Sequence, residues 1–163
     1  LLISGPVSVP KPHGIKFIQI ESAMDMYKST LKYCKKADYI FMSAAVADYS
    51  VKNINNYKIK RSKSNLSLDL IPAPDILKSI NKYTEASITA FALETHNGEN
   101  EALRKLMDKS ADFIVLNYAN EDGAGFESDT NRVIVYSKNK KFVNLKKNRK
   151  DRIAKTIIDF ILK

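Results

Sequence analysis

Apolar and polar positions follow two periods along this chain, and the two periods separate strands from helices. Short apolar or alternating runs predict strands at 1–4, 16–20, 39–44, 65–71, 87–92 and 112–116, and the strand at 39–44 is expected to be buried. Apolar residues spaced three and four apart predict helices at 22–36, 75–82, 100–110 and 149–162. Ser22 is the expected N-cap of the first helix, with Asp25 three residues further on. Two further alternating runs, 132–137 and 141–145, flank the polar residues 138–140, so they predict a β-hairpin.

Strands that alternate with helices predict an α/β fold. We expect a Rossmann-like, mostly parallel three-layer sheet that ends in a C-terminal β-hairpin. No linker separates two domains, so one domain is expected over residues 1–163. A nucleotide-binding fold of this kind normally opens with a strand and a Gly-rich turn. The chain has five glycines and no such turn, so either the domain differs from the standard plan or its first βα unit is absent from this sequence.

A polar segment at 45–64 is the least regular part of the sequence. It is rich in Asn and Lys and is too long for an ordinary connection in a compact domain. Connections of this length are usually functional or disordered, and both interpretations stay open here.

The residues between the strand at 39–44 and this polar segment suit a ligand site. The stretch SAAVADY, 43–49, offers small side chains and one carboxylate at Asp48, and the basic cluster KIKR follows at 58–61. Small side chains let a flat ring approach the backbone at the carboxyl end of a strand. Asp48 can bind a ribose hydroxyl or a cation, and the lysines can hold phosphates. The pattern therefore predicts a nucleotide-like ligand.

Composition excludes several other classes of protein. The net charge of +9 comes from cations in every segment and has no recognition motif beside it, so we expect no nucleic-acid partner. No apolar run is long enough to span a membrane, and no membrane partner is expected. The single cysteine, Cys34, fits a reducing compartment and hence a cytoplasmic protein. His13 and His96 lack partners at metal-ligand spacing, so any metal ligands stay unknown.

Seven motifs occur in one order along the chain, and together they resemble a known family. They are LISGPVS (2–8), AAVADY (44–49), KIK (58–60), PDIL (74–77), FALET (91–95), the lysine pair of RKLMDK (104–109) and GFESDTN (125–131). The set is similar to phosphopantothenoylcysteine synthetase, the synthetase half of the bifunctional coenzyme A biosynthesis flavoprotein.

The resemblance implies a ligase that joins 4′-phosphopantothenate to L-cysteine. In the bacterial type, CTP activates the carboxylate as an acyl-cytidylate and releases pyrophosphate, and the cysteine amine then displaces CMP. Because the carboxylate and the triphosphate are both anionic, the site needs fixed cations and Mg²⁺. KIKR resembles the bacterial pattern, which favours CTP over ATP. The flavin-binding decarboxylase half is absent, so no FMN is expected here, although the full-length protein can be fused to such a domain.

The resemblance also implies which residues contact the nucleotide. They are Met42, Ser43, Ala44, Asp48, Lys58, Pro74, Asp75, Ile76, Leu77, Phe91, Lys105 and Lys109. Met42 to Ala44 correspond to backbone beside the base, and Phe91 corresponds to a residue lining the base pocket. Lys58 matches the lysine tied to turnover of the acyl-cytidylate and is the catalytic candidate.

Each of these residues also has an ordinary structural interpretation. Asp48 can cap a turn, Phe91 can belong to the core, and Lys58 can be a solvated lysine in a charge run. Lys105 and Lys109 lie four apart on one helical face, so they can reach a single anion or simply form a solvated face.

Two further expectations concern assembly and activity. In the family the long loop and its adjoining strand form an arm that completes a homodimer; here that arm corresponds to residues 45–71, with local disorder as the alternative. The family's N-terminal unit helps to form the acyl-cytidylate, so we expect these 163 residues alone to be inactive. The competing hypothesis is a non-catalytic nucleotide-binding α/β module.

Overall fold

The computed structural model describes residues 1–61, 65–120 and 128–163. In these ranges it contains nine strands and four helices: β1 (Leu2–Ser4), β2 (Phe17–Gln19), α1 (Ala23–Cys34), β3 (Tyr39–Met42), β4 (Tyr49–Val51), β5 (Leu70–Pro72), α2 (Ile76–Ile80), β6 (Ser87–Glu94), α3 (Gly98–Asp108), β7 (Phe113–Tyr118), β8 (Thr130–Ser137), β9 (Phe142–Arg149) and α4 (Lys150–Ile161). The chain forms two compact units. Unit 1 is Leu1–Lys32 with Ala45–Ile76, and unit 2 is Tyr33–Ala44 with Leu77–Lys163.

Unit 2 contains a five-stranded mixed sheet in the order β3-β6-β7-β8-β9. The first three strands are parallel, and β8 and β9 add antiparallel neighbours. The predicted α/β class and C-terminal hairpin are therefore confirmed. Because β3, β6 and β7 are parallel, they all end at one side of the sheet. We call this side, at Met42, Glu94 and Tyr118, the carboxyl edge.

The two faces of this sheet carry different helices. On one face, α4 packs against β7 and β8, and the cluster consists of Val115, Val133, Val135, Ile153, Ile157 and Ile161. Phe160 adds an edge-to-face contact to Phe113, with ring centroids 6.1 Å apart. On the other face, α3 contacts β6 and β7. The apolar stripe predicted for the last helix is thus the one that covers the sheet.

Unit 1 contains two short two-stranded sheets, parallel β1-β2 and antiparallel β4-β5. A reciprocal cap starts α1, as predicted for Ser22 and Asp25. The Asp25 amide donates to Ser22 Oγ (3.1 Å), and the Asp25 carboxylate accepts bonds from the Ser22 amide (3.1 Å) and hydroxyl (2.6 Å). The hydroxyl bond lowers the pKa of Asp25 below its ordinary value.

Three predicted strands differ from the structure. The strand predicted as buried at 39–44 is β3, the outermost strand of its sheet, where Tyr39 and Phe41 are 45% and 38% exposed. The strand predicted at 65–71 is only β5, which begins at Leu70. It pairs with β4, a strand that the polar composition of 45–64 concealed. Finally, β6 continues to Glu94 because β7 continues beside it, so Phe91 lies inside the strand instead of at its end.

None of the helices in the described parts of the chain is long and apolar enough to cross a membrane.

Two threonines of unit 2 differ in how their hydroxyl groups are satisfied. Thr89 is 1% exposed, and its Oγ1 has no hydrogen-bond partner among the described residues. Thr84 Oγ1 donates to the Cys34 carbonyl (2.7 Å) and accepts from the Ala86 amide (3.1 Å). We expect Thr89→Val to raise the free energy of unfolding by about 1 kcal/mol, because it removes an unpaired buried hydroxyl. Thr84→Val should lower it by about 1–2 kcal/mol. Urea unfolding of the two variants checks both values, and destabilisation by Thr89→Val would contradict the first.

A close contact fixes the start of α3 against β7. A Cβ atom added at Gly98 would lie 2.6 Å from Cε1 and 2.9 Å from Cζ of Tyr118. We expect Gly98→Ala to lower the free energy of unfolding by about 1–3 kcal/mol, because the ring must move. Gly5→Ala is the matched control, since nothing lies within 4 Å of a Cβ there. In a Tyr118→Leu background the Gly98→Ala loss should shrink, and an undiminished loss would show that the ring is not its cause.

Candidate functional site

The carboxyl edge of unit 2 is open at the end of β3. Met42 is half-buried as the last residue of the strand, and Ser43 and Ala44 after it are exposed. Ligands of open α/β sheets bind outside the carboxyl ends of the strands. The three predicted base-contacting residues therefore lie where such a ligand would approach the backbone.

A lysine from α3 reaches the same edge. Lys105 Nζ lies 2.6 Å from Glu94 Oε1, at the end of β6. The chain enters α3 just after this edge and leaves it near the start of β7, so Lys109 lies one turn further from the edge along the helix. The Lys109 carbonyl accepts a bond from Asn81 Nδ2 (2.5 Å). Lys105 therefore reaches the carboxyl edge, whereas Lys109 lies at the far end of α3.

Phe91 lies on the opposite face of the sheet from the Glu94 carboxylate. It is half-buried and packs against the core cluster under α4. Residues three apart in a strand point to opposite faces, and Glu94 points to the α3 face, where it meets Lys105. Phe91 and Lys105 can therefore contact the same ligand only if that ligand extends over the carboxyl edge.

Several predicted site residues belong to unit 1. Asp48 is exposed directly before β4, and its carbonyl accepts a hydrogen bond from the Ala73 amide (2.8 Å). This bond brings Asp48 next to the PDIL segment, where Pro74 is half-buried and Asp75 directly precedes α2. The structure therefore joins two motifs that are 26 residues apart in the sequence. Ile76 is buried in its helix, and Leu77, which is half-buried, begins the second segment of unit 2.

Lys58 lies exposed between β4 and β5, beside an apolar groove of unit 1. The groove has a volume of about 410 Å³, and its lining residues are Val51, Asn53, Ile54, Asn55, Tyr57, Ile59, Leu66, Ser67, Leu68 and Asp69. Both sequence neighbours of Lys58 line it. We call residues 45–61 and 65–71 the arm.

Two contacts between α3 and the sheet were not predicted from the sequence. One is the Glu94–Lys105 ion pair, for which the polar end of FALET was the only signal. The other involves Tyr136, which is buried on β8. Burial, together with the neighbouring Glu99 carboxylate that accepts its hydroxyl hydrogen bond, raises the pKa of Tyr136 to about 12. Both contacts connect α3 to the sheet.

The described residues do not form a magnesium site by themselves. They contain no group of three His, Cys, Asp or Glu side chains that could hold a metal ion. Magnesium in nucleotide sites usually keeps several waters and binds the phosphates, with one or two carboxylates. A magnesium ion at the described residues would therefore need ligands from a bound nucleotide or from water.

An α/β unit with an open carboxyl edge and a lysine ammonium at that edge is typical of proteins that bind ligands at the ends of parallel strands. Comparison with known proteins makes the assignment narrower. The sequence profile of the DNA/pantothenate metabolism flavoprotein C-terminal domain matches residues 1–163. The chain belongs to this family.

Similar proteins include bifunctional coenzyme A biosynthesis proteins, CoaBC. The Bacillus subtilis protein is 39% identical over 140 residues, which cover 85% of this chain and 34% of that protein. The Borreliella burgdorferi protein is 35% identical over 164 residues, which cover 98% of this chain and 41% of that protein. The chain therefore spans between a third and a half of the length of these relatives.

Solved structures agree with this assignment. The crystal structure of the C-terminal domain of a CoaBC protein superposes with a TM-score of 0.79 at 29% identity, covering 98% of this chain and 70% of that one. A Cab2 variant in complex with phosphopantothenate-cysteine has a TM-score of 0.68 at 18% identity, covering 90% of this chain and 51% of that one. At 18% identity, the similarity to the Cab2 variant supports the fold only.

Proposed function

We propose that the protein to which this chain belongs joins 4′-phosphopantothenate to L-cysteine in coenzyme A biosynthesis, with CTP as the activating nucleotide. The observation that carries the proposal is the family match over all 163 residues. The CoaBC relatives at 35–39% identity support it. The small residues after β3 and the Lys105 ammonium at the carboxyl edge supply the chemistry that a nucleotide needs.

The reaction has two steps, and each bond that forms is matched by a group that leaves. A carboxylate oxygen of phosphopantothenate attacks the α-phosphorus of CTP, and pyrophosphate leaves. The cysteine nitrogen then attacks the acyl carbon, CMP leaves, and the nitrogen loses a proton. Both reactants of the first step are anionic, so cations that are already in place lower its barrier.

We assign the candidate residues to CTP and to the acyl-cytidylate that forms from it. Met42, Ser43 and Ala44 offer backbone to the base at the end of β3, and Phe91 approaches it from the α4 face. Asp48 and the PDIL segment, residues 74–77, hold the sugar and phosphates. Lys105 binds phosphate oxygens at the carboxyl edge, and Lys109, at the far end of α3, is left out of this set. Lys58, which is exposed, stabilises the acyl-cytidylate as the amine attacks.

The cellular setting follows from the same family. Magnesium accompanies CTP as its counter-ion, and this chain needs no FMN of its own. As in the bifunctional relatives, the full-length protein can carry a flavin-dependent decarboxylase domain, and we place it in the cytoplasm. Nucleic acids and membranes are not partners in this proposal.

The protein assembles as a homodimer through the arm. Nine apolar side chains there are 39–88% exposed: Tyr49, Val51, Ile54, Tyr57, Ile59, Leu66, Leu68, Leu70 and Ile71. An apolar surface of this kind marks an interface, and a two-stranded hairpin is not stable in water by itself. A second copy of the arm offers the same apolar surface and covers it.

A non-catalytic nucleotide-binding module is the competing function, and product release separates the two. The full-length protein is mixed with CTP and phosphopantothenate, pyrophosphate is measured, and cysteine is then added while CMP is measured. A ligase releases pyrophosphate only when phosphopantothenate is present, and it releases CMP after cysteine is added. CTP binding in a calorimeter without pyrophosphate release would favour the module, and parallel runs with ATP test the choice of nucleotide.

A further inference from the structure

Glu94 places a negative charge at the carboxyl edge, where the proposed function needs an anionic nucleotide. Its side chain is 15% exposed. A carboxylate that has lost most of its water is unfavourable unless a cation accompanies it. Lys105 supplies that cation, and its Nζ is 2.6 Å from Glu94 Oε1. The two residues therefore have to be considered as one group.

This ion pair differs from the others on α3. Arg104 pairs with Glu101 (2.8 Å) and Asp108 (2.6 Å), but these side chains are 41–56% exposed and all lie on the same helix. Such pairs contribute little at a protein surface. The Glu94–Lys105 pair instead connects the last turn of α3 to the last residue of β6. It determines where along the sheet the lysine ammonium lies.

The ammonium group keeps donors for a ligand. It has three N–H donors, Glu94 Oε1 accepts one of them, and 38% of the Lys105 side chain is exposed. A free lysine side chain samples many rotamers, and it loses that freedom when it binds a phosphate. A lysine already held in place by a carboxylate loses less of this rotamer freedom. It therefore binds an anion more favourably than the net charge of the ion pair alone would suggest.

We propose that Glu94 is a positioning residue that holds the Lys105 ammonium at the carboxyl edge, ready for the phosphate oxygens of CTP. The inference rests on the proposed function, because it assumes that CTP binds there. Glu94 touches no substrate in this account and acts only through Lys105. A purely structural role, in which the pair merely tethers α3 to β6, is the alternative.

Steady-state kinetics of the full-length protein separates the two roles. Lys105→Met removes the charge and should raise the KM for CTP about tenfold or more. Glu94→Ala should raise it about fivefold, and Glu94→Gln, which retains an acceptor oxygen of the same reach, should raise it less. In the double variant Lys105→Met/Glu94→Ala the KM should equal that of Lys105→Met alone, because the carboxylate then has nothing to position. The KM for cysteine should not change.

Arg104→Gln, which breaks the exposed pairs of α3, is the matched control and should leave the KM for CTP within about twofold of the wild type. If Lys105→Met raises the KM but both Glu94 variants leave it unchanged, Glu94 does not position Lys105, and the proposed function stands. Additive effects in the double variant, with lowered melting temperatures, would favour the structural tether and overturn the inference. A wild-type protein that makes no phosphopantothenoylcysteine would overturn the proposed function and this inference with it.

Discussion

Lys58→Gln is expected to slow phosphopantothenoylcysteine formation by the full-length protein about 100-fold or more. A fixed cation that stabilises charge developing in a transition state is typically worth this much. Lys58 is exposed and lies outside every strand and helix, so the variant should melt at the wild-type temperature. Because the lysine acts after the carboxylate is activated, the variant should still release pyrophosphate in a first turnover. Rapid-quench measurement of pyrophosphate and amide product tests both parts.

Lys60→Gln provides the control for this result. Lys60 is two residues away in the same exposed segment and carries the same charge, so a nonspecific loss of positive potential would affect both variants equally. We expect Lys60→Gln to retain its activity within about threefold, as for a solvated surface charge. If Lys58→Gln turned over at the wild-type rate, Lys58 would not be a catalytic residue.

Leu68→Asp is expected to weaken self-association of the full-length protein by about thirtyfold or more, which corresponds to about 2 kcal/mol. Leu68 lines the arm groove and is 58% exposed in the single chain, so the change should spare the fold of each copy. If a second copy covers the groove, however, the new carboxylate would be buried without a partner. Sedimentation equilibrium gives the dissociation constant directly.

Asn56→Asp is the matched variant for the arm. Asn56 lies in the same exposed segment but does not line the groove, so it adds the same charge outside the proposed contact. It should change the dissociation constant by no more than about threefold. An equal loss in the two variants would point to general charge repulsion, and an unchanged constant in Leu68→Asp would contradict dimerisation through the groove.

Local pattern predicted much of the fold. The hairpin of β8 and β9 and the stripe of α4 depend on neighbouring residues, and both are present. The Ser22–Asp25 cap depends on a spacing of three residues and is also present. Burial of β3 was wrong because exposure of a strand depends on its neighbours in the sheet, which its own residues do not specify. β4 was missed because its three residues lie in a polar segment and form a strand by pairing with β5.

The candidate site residues stay predictions, and their positions were only partly predictable from the sequence. The apolar run at 39–44 indicated where β3 ends, whereas Lys105 was a candidate only through the family resemblance. The Glu94–Lys105 pair depends on how α3 lies on β6, and the close packing of Gly98 against Tyr118 contributes to that position. Phe91 lies on the opposite face from the Glu94 carboxylate because the two residues are three apart in β6. Such distances result from packing among elements and have no signal in a local pattern.

Transfer of an oxygen isotope tests the central claim most directly, because an acyl-cytidylate moves one carboxylate oxygen to the nucleotide. Phosphopantothenate labelled with ¹⁸O in its carboxylate is converted by the full-length protein with CTP and cysteine, and the released CMP is analysed by mass spectrometry. The account predicts CMP that carries one ¹⁸O atom, together with unlabelled pyrophosphate. Unlabelled CMP, or label in inorganic phosphate released with CDP, would contradict activation of the carboxylate by cytidylyl transfer.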